Sequence, residues 1–200
     1  MPRITEPTVA EHRAKQRAAV LQAAEDLAVE QGGAAVTVAA VAARAGLARP
    51  SVYAYFSSAE DMLVALVREG FERWHAALHD AVGAAASPEE VVRGYLSAAA
   101  SRAARGEHRL AAALSGVPLP PPVRDELMVR HREMAAPLAA AARSLGLPDG
   151  AQAEPVIALL MAVVNHCITR VEAGHSPTDE ARIAGDLLLG GLRGLAAAGR

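Results

Sequence analysis

At 200 residues the chain can form one large or two small domains with a packed core. Hydrophobic residues make up 52%, much of it alanine, and aromatics only 3%, a composition that favours helix. The formal net charge is −2, so a surface for nucleic acid has to come from the placement of basic residues and not from their excess. The single cysteine, Cys167, excludes an intrachain disulfide and a cysteine zinc site and suits a reducing compartment. The polar N-terminus has no apolar signal core, and no uninterrupted apolar stretch is long enough to span a bilayer, so a cytoplasmic protein with no membrane partner is expected.

Residues 1–10 hold Pro2 and Pro7 without periodicity and read as a flexible arm. A first helix runs from about Glu11 to Gln31, with Val20, Leu21, Ala24, Leu27 and Ala28 as its inner stripe, and Gly32-Gly33 stops it. Thr37 is an N-cap for a short helix with Val38, Val41, Ala42 and Ala45 inward. Gly46 supplies the left-handed turn. A third helix starts near Ala48 with Pro50 in its first turn and Val52 and Phe56 inward. Two short helices about such a glycine turn form a helix-turn-helix, whose second helix enters a DNA major groove.

A long fourth helix is expected over residues 58–82, capped by Ser58. Its apolar positions are Met62, Leu63, Leu66, Val67, Phe71, Trp74 and Leu78. Further helices follow at about Pro88–Arg105, Glu107–Ser115, Val123–Leu145, Ala153–Gly174 and Thr178–Ala197. They are separated by the breaker Gly116–Pro122, a loop at Gly146–Gly150 and a turn at His175–Pro177, and Pro137 offers a kink. The helix at 151–174 carries Glu154, Pro155, Asn165, His166 and Arg170, which reads as a soluble interface helix. Nothing alternates with period two, so the fold class is all-α with about nine helices. Residues 11–57 form the helix-turn-helix domain, and residues 58–200 a larger effector-binding and dimerisation domain, with helix 58–82 linking the two.

The run T-x3-V-A-x2-A-G-L-x4-V-Y-x-Y-F-x3-E-D-x-L between Thr37 and Leu63 resembles the DNA-binding signature of the tetracycline-repressor (TetR) family. The resemblance implies a homodimeric regulator, commonly a repressor, that binds a palindromic double-stranded operator and leaves it when a small molecule binds. Arg49, Pro50, Ser51 and Tyr53 face outward by the periodicity, with Ala48 at the helix start. Arg49 reads a base through guanine O6 and N7 or holds a phosphate. Ser51 contacts a base or a phosphate. The resemblance implies that Tyr53 bonds a phosphate, that Tyr55 lies near DNA, and that Thr37 binds phosphate at a helix N-terminus. Packing over the first helix is the other reading of Tyr55. The family usually has Lys where this chain has Ala59, which removes one phosphate contact. Residues 1–58 hold six Lys and Arg against five Asp and Glu, and the remainder 14 against 17. The basic surface must therefore come from His12, Arg13, Lys15, Arg17, Arg44 and Arg49 by position.

The second half of helix four borders the effector cavity in the family, which makes Trp74 and His75 candidate lining. Tyr95, Met128, His131, Met134, Met161 and Asn165 complete a largely apolar pocket with a few polar fixtures. Any one of these six alone reads as core, surface or dimer interface sooner than as a ligand contact, and only the set points to a pocket. His75 and His79 stand i, i+4, but two ligands are an incomplete site, so no metal and no cofactor is expected. Asn165-His166-Cys167 is no nucleophile constellation, since helix neighbours diverge by about 100°. No catalytic motif appears, and no enzyme is expected. The last two helices carry broad apolar faces. Ile157, Leu160, Val164, Ile168, Ile183, Leu187, Leu188 and Leu192 are the expected homodimer interface, in a four-helix bundle. Closing the domain core is their other use. The alternative function is a helical small-molecule or interaction module that has lost specific DNA binding, supported by Ala59 and the weak charge.

Overall fold

The computed structural model describes residues 9–114, 117–147 and 153–198. Residues 1–8 of the expected arm, Ser115 and Gly116 of the expected breaker, and residues 148–152 of the expected loop and helix start lie outside the described residues. Among the described residues every regular element is helical. The nine α-helices are α1 (Val9–Gln31), α2 (Val38–Arg44), α3 (Arg49–Tyr53), α4 (Ala59–Gly83), α5 (Pro88–Ala104), α6 (Arg109–Leu114), α7 (Pro121–Ser144), α8 (Ala153–Glu172) and α9 (Pro177–Ala198). A single 3-10 turn spans Gly33–Ala35.

The caps read from the sequence are made. The Ala40 N–H donates to Thr37 Oγ1 at 3.1 Å and the Asp61 N–H to Ser58 Oγ at 3.0 Å. Asp61 answers by accepting from the Ser57 N–H at 2.9 Å, so two orphan donors are met reciprocally. Ser87 and Glu90 form the same box at the start of α5. The expected breaker is shorter than read: residues 117–120 lie outside any helix, but α7 takes Pro121 and Pro122 into its first turn, where a missing N–H removes no bond.

The chain divides into two compact units. The first comprises the chain through Gly70 together with Leu110–Val123. Its core is the expected α1 stripe with Val41, Ala42, Val52, Phe56, Met62, Leu63 and Leu66, closed by Leu110 and Leu114. Gly33 is required here by space, since a Cβ would meet Val117 Cγ2 at 2.2 Å. The second unit comprises Phe71–Arg109 and Arg124 onward. In it α5 packs against α8 and α9 around Tyr95, Leu96, Leu138, Leu160, Val164, Ile168, Leu188 and Leu192. The residues of α4 are shared between the units, the division falling after Gly70.

The sequence reading of α8 needs correction. Ala153–Glu172 is long and apolar enough, by length and composition, to cross a membrane. Its polar residues are too few to break that count. A helix packed between two neighbours has the same composition, and α8 buries Leu160, Val164, Cys167, Ile168 and Val171 in the second unit.

Candidate nucleic-acid interface and candidate effector site

The helix-turn-helix is built from local chemistry. Gly46 has φ 67, a left-handed conformation that a Cβ would strain. The chain reverses there while the Leu47 N–H donates to the Ala42 carbonyl at 2.9 Å, which ends α2 cleanly. Ala48 is extended and its carbonyl accepts from the Ser51 N–H at 2.9 Å, opening α3 with Pro50 in the first turn. Val52 is fully buried and Phe56 nearly so, so the opposite face of α3 is turned outward. Ala48, Arg49 and Pro50 are exposed, Ser51 is half-buried, and Tyr53 is 57% exposed. Lys15 and Arg49 have no ion-pair partner among the described residues.

For Tyr55 the geometry shows the packing over the first helix that was one of its two expected arrangements. It is half-buried, and its hydroxyl donates to Gln16 Oε1 at 2.6 Å. The Arg13 guanidinium lies 5.9 Å from its ring centroid. Packing over α1 is thus the arrangement present, and the hydroxyl is already engaged. Two of the basic residues counted for the DNA face are engaged too. Arg17 pairs with Glu69 at 2.9 Å and lies 5.2 Å from the Phe56 ring centroid. Arg44 forks onto Glu30 at 2.8 and 2.5 Å. That hydrogen bonding holds the Glu30 carboxyl below its ordinary range. Ala59 is half-buried in the first turn of α4.

The candidate effector residues do not converge. In the second unit a recess of about 90 Å³ is lined by Phe71, Glu72, His75, Arg130, Glu133 and Met134. Of the eight expected residues only His75 and Met134 line it. Trp74 is packed under the Arg102 guanidinium, 5.5 Å from its ring centroid, with the His108 ring 5.8 Å away. Tyr95 is 1% exposed in the core, where burial pushes its phenol up to about 12. Met128 and Asn165 are exposed, and Met161 packs at the edge of the core. His131 lies edge-on against Phe71 at 4.6 Å, with Nδ1 3.0 Å from the Leu127 carbonyl. Sequence reasoning missed Glu72, Arg130 and Glu133. Arg130 clamps Glu72 of α4 and Glu126 of its own helix, and only the i, i+4 spacing of Glu126 and Arg130 could have pointed to it.

The expected interface residues divide as well. Leu160, Val164, Ile168, Leu188 and Leu192 are each 5% exposed or less inside the second unit, so they close the core of one chain. Ile157 is half-buried. Ile183 and Leu187 stand 52% and 62% exposed on the other face of α9, where Leu195 is exposed too, and Leu159 on α8 is exposed and missed by the sequence reading. Added Cβ atoms at Gly190, Gly191 and Gly194 would meet only open space.

The His75 and His79 rings stack 6.4 Å apart. Among the described residues no group of three His, Cys, Asp or Glu could hold a metal ion. Cys167 is buried, and that burial, followed by the Glu180 carboxylate, raises its thiol.

A head that presents the outer face of a second helix, followed by a larger helical unit, is the architecture of a helix-turn-helix transcription regulator. Residues 20–66 match the family model described as bacterial regulatory proteins, tetR family. Over those residues the chain has a DNA-binding domain of the TetR family of transcription regulators. No curated protein matches it. A TetR-like regulator from Rhodococcus sp. RHA1 is similar in structure, with TM-score 0.75 and 21% identity over 94% of this chain and 100% of that one. The regulator FadR from Bacillus subtilis, solved with stearoyl-CoA, gives 0.71 and 19% over 87% and 98%. AibR, solved with isovaleryl-CoA and operator DNA, gives 0.72 and 15% over 87% and 98%. At these identities the likeness shows the shared fold.

Proposed function

We propose that the chain is a homodimeric repressor that binds a palindromic operator and releases it when a small molecule binds its larger helical region. Residues 11–57 would read DNA, residues 58–200 would bind effector and partner, and the protein would act in the cytoplasm. The observation that carries this reading is the pairing of an outward-facing Arg49 and Tyr53 on α3 with an unpartnered apolar stripe on α9. A two-fold pairing of that stripe would supply two recognition helices for successive major grooves, roughly 34–36 Å apart. An acyl-CoA is the effector class to test first, because two proteins of this fold were solved with one. Ligand sites commonly measure about 300–1,000 Å³. The recess at His75 is smaller, so effector entry would have to part the Glu72–Arg130 clamp.

The test is release from DNA. A duplex enriched from a random pool by the purified protein is titrated with acyl-CoAs of rising chain length in a mobility-shift assay. Release by one chain length at micromolar concentration supports the reading. An enriched duplex that no acyl-CoA or other small molecule displaces removes the effector part, and a protein that enriches only asymmetric half-sites removes the dimeric part.

A further inference from the structure

We propose that Gln16 is a specificity-determining positioning residue: through its hydrogen bond with Tyr55 it sets the angle at which α3 meets the base edges. The need for such a residue follows from the size of α3. Arg49–Tyr53 is under two turns, too short for its internal hydrogen bonds to hold it rigid. Within it only Val52 is buried, and one buried side chain is a pivot about which a short helix can roll. A second fixed point is required, and it lies just past the helix at Ala54–Phe56.

That point is gripped from one face of α1. Arg13, Gln16 and Arg17 are spaced i, i+3 and i+4 and so share a face. Arg17 stands over Phe56 but is tied to Glu69. Arg13 reaches the Ala54 carbonyl only at 3.5 Å, long for a hydrogen bond. The Tyr55 to Gln16 contact, at 2.6 Å and partly buried, is the short directional one. Directionality matters because a bidentate contact to a base tolerates only about 0.5 Å and 10–20° of error. It matters more in a head whose Arg17 and Arg44 are already paired with carboxylates, since general attraction to phosphate then discriminates poorly between duplexes.

The test uses the full chain, with a duplex enriched from a random pool and a shuffled duplex of equal length. Affinities are measured for wild type, Gln16→Ala, Tyr55→Phe, the double variant and Gln16→Glu across a salt series. Gln16→Ala and Tyr55→Phe are each expected to lower the enriched-to-shuffled affinity ratio about tenfold, the value of one well-made hydrogen bond. The double variant should lose no more than either single, because both remove one interaction. The salt slope should not change. Gln16→Glu keeps an acceptor oxygen and should restore the ratio while weakening both duplexes alike, which keeps the test informative should the alanine variant lose helix. The proposal is overturned if all variants keep the wild-type ratio. It is overturned also if Tyr55→Phe weakens both duplexes equally while Gln16→Ala does neither, which would make the Tyr55 hydroxyl a phosphate contact. A pool from which nothing is enriched would remove DNA reading itself, an outcome distinct from an enriched duplex that every variant reads equally well.

Discussion

Arg49 and Arg44 lie five residues apart and have different work to do. Arg44 is spent on Glu30, whereas Arg49 opens α3 exposed and without a carboxylate partner among the described residues. Arg49→Ala is therefore expected to cost about 1–3 kcal/mol at the enriched duplex and to relax preference at one position per half-site. Anisotropy titrations over single-base variants of the duplex measure both. A uniform loss with a shallower salt slope would make Arg49 a phosphate contact instead. Tyr95 carries a pH prediction. Its phenol titrates near 10 when solvated and is pushed up to about 12 in the fold by burial. The stabilisation from keeping it neutral is thus complete below pH 10 and is lost as pH rises through about 12. That difference corresponds to roughly 2–3 kcal/mol. Urea melts between about pH 9 and pH 11.5 should show a falling stability that Tyr95→Phe lacks, beyond any loss common to both chains.

At the scale of elements, α9 shows most clearly what periodicity can and cannot say. Its apolar positions were legible in the sequence, but an apolar stripe broader than half the helix does not reveal which part of it a chain buries in itself. Leu188, Leu189 and Leu192 face the core, and Ile183, Leu187 and Leu195 do not. Adjacent substitutions on α9 should therefore behave oppositely. Leu187→Arg is expected to leave the circular dichroism spectrum intact and to convert a dimer into a monomer by light scattering. Leu188→Arg, placing an unpaired charge in the core, is expected to cost several kcal/mol and to unfold the second unit. If Leu187→Arg remains dimeric, the α9 face is not the interface. The caps were equally legible, because a Ser or Thr followed three residues later by a backbone donor is a local arrangement. The start of α7 was not, because Pro121 and Pro122 serve equally well as a breaker or as a first turn.

For the molecule as a whole, charge pairing sets an expectation for DNA affinity. Counting Lys15, Arg49 and the weakly held Arg13 in each head, a dimer should release few counterions. The slope of log affinity against log salt should be about −3.6 without the two Arg13 contacts and about −5.4 with them, at about 0.9 per phosphate neutralised. A slope near −10 would mean that the paired arginines are freed on DNA. Trp74 is the chain's one tryptophan, and it lies against Arg102 and His108, the latter 3.2 Å from Glu172 on α8. An effector that parts α4 from its neighbours in the second unit should change its emission over the concentrations that release DNA. By linkage, the effector should bind free protein more tightly than DNA-bound protein by the factor with which it weakens DNA. Emission that changes without release would place the ligand at a site uncoupled from DNA.

What was legible in the residues themselves was the local chemistry. The cap at Thr37, the glycine turn at Gly46, the buried Val52 and Phe56 and the outward Arg49 are each decided within a few residues, and together they declare a helix-turn-helix of the TetR kind. The tertiary structure alone decided pairing and partition. Gln16 lies 39 residues from Tyr55, Arg44 14 from Glu30 and Arg130 58 from Glu72, and no sequence period relates such partners. The scattering of the candidate effector residues has the same cause. A pocket is made by several helices packing at particular rotations, and Tyr95, Met128 and Met134 carry equally apolar or soft side chains whether they end in the core, in solvent or on a recess.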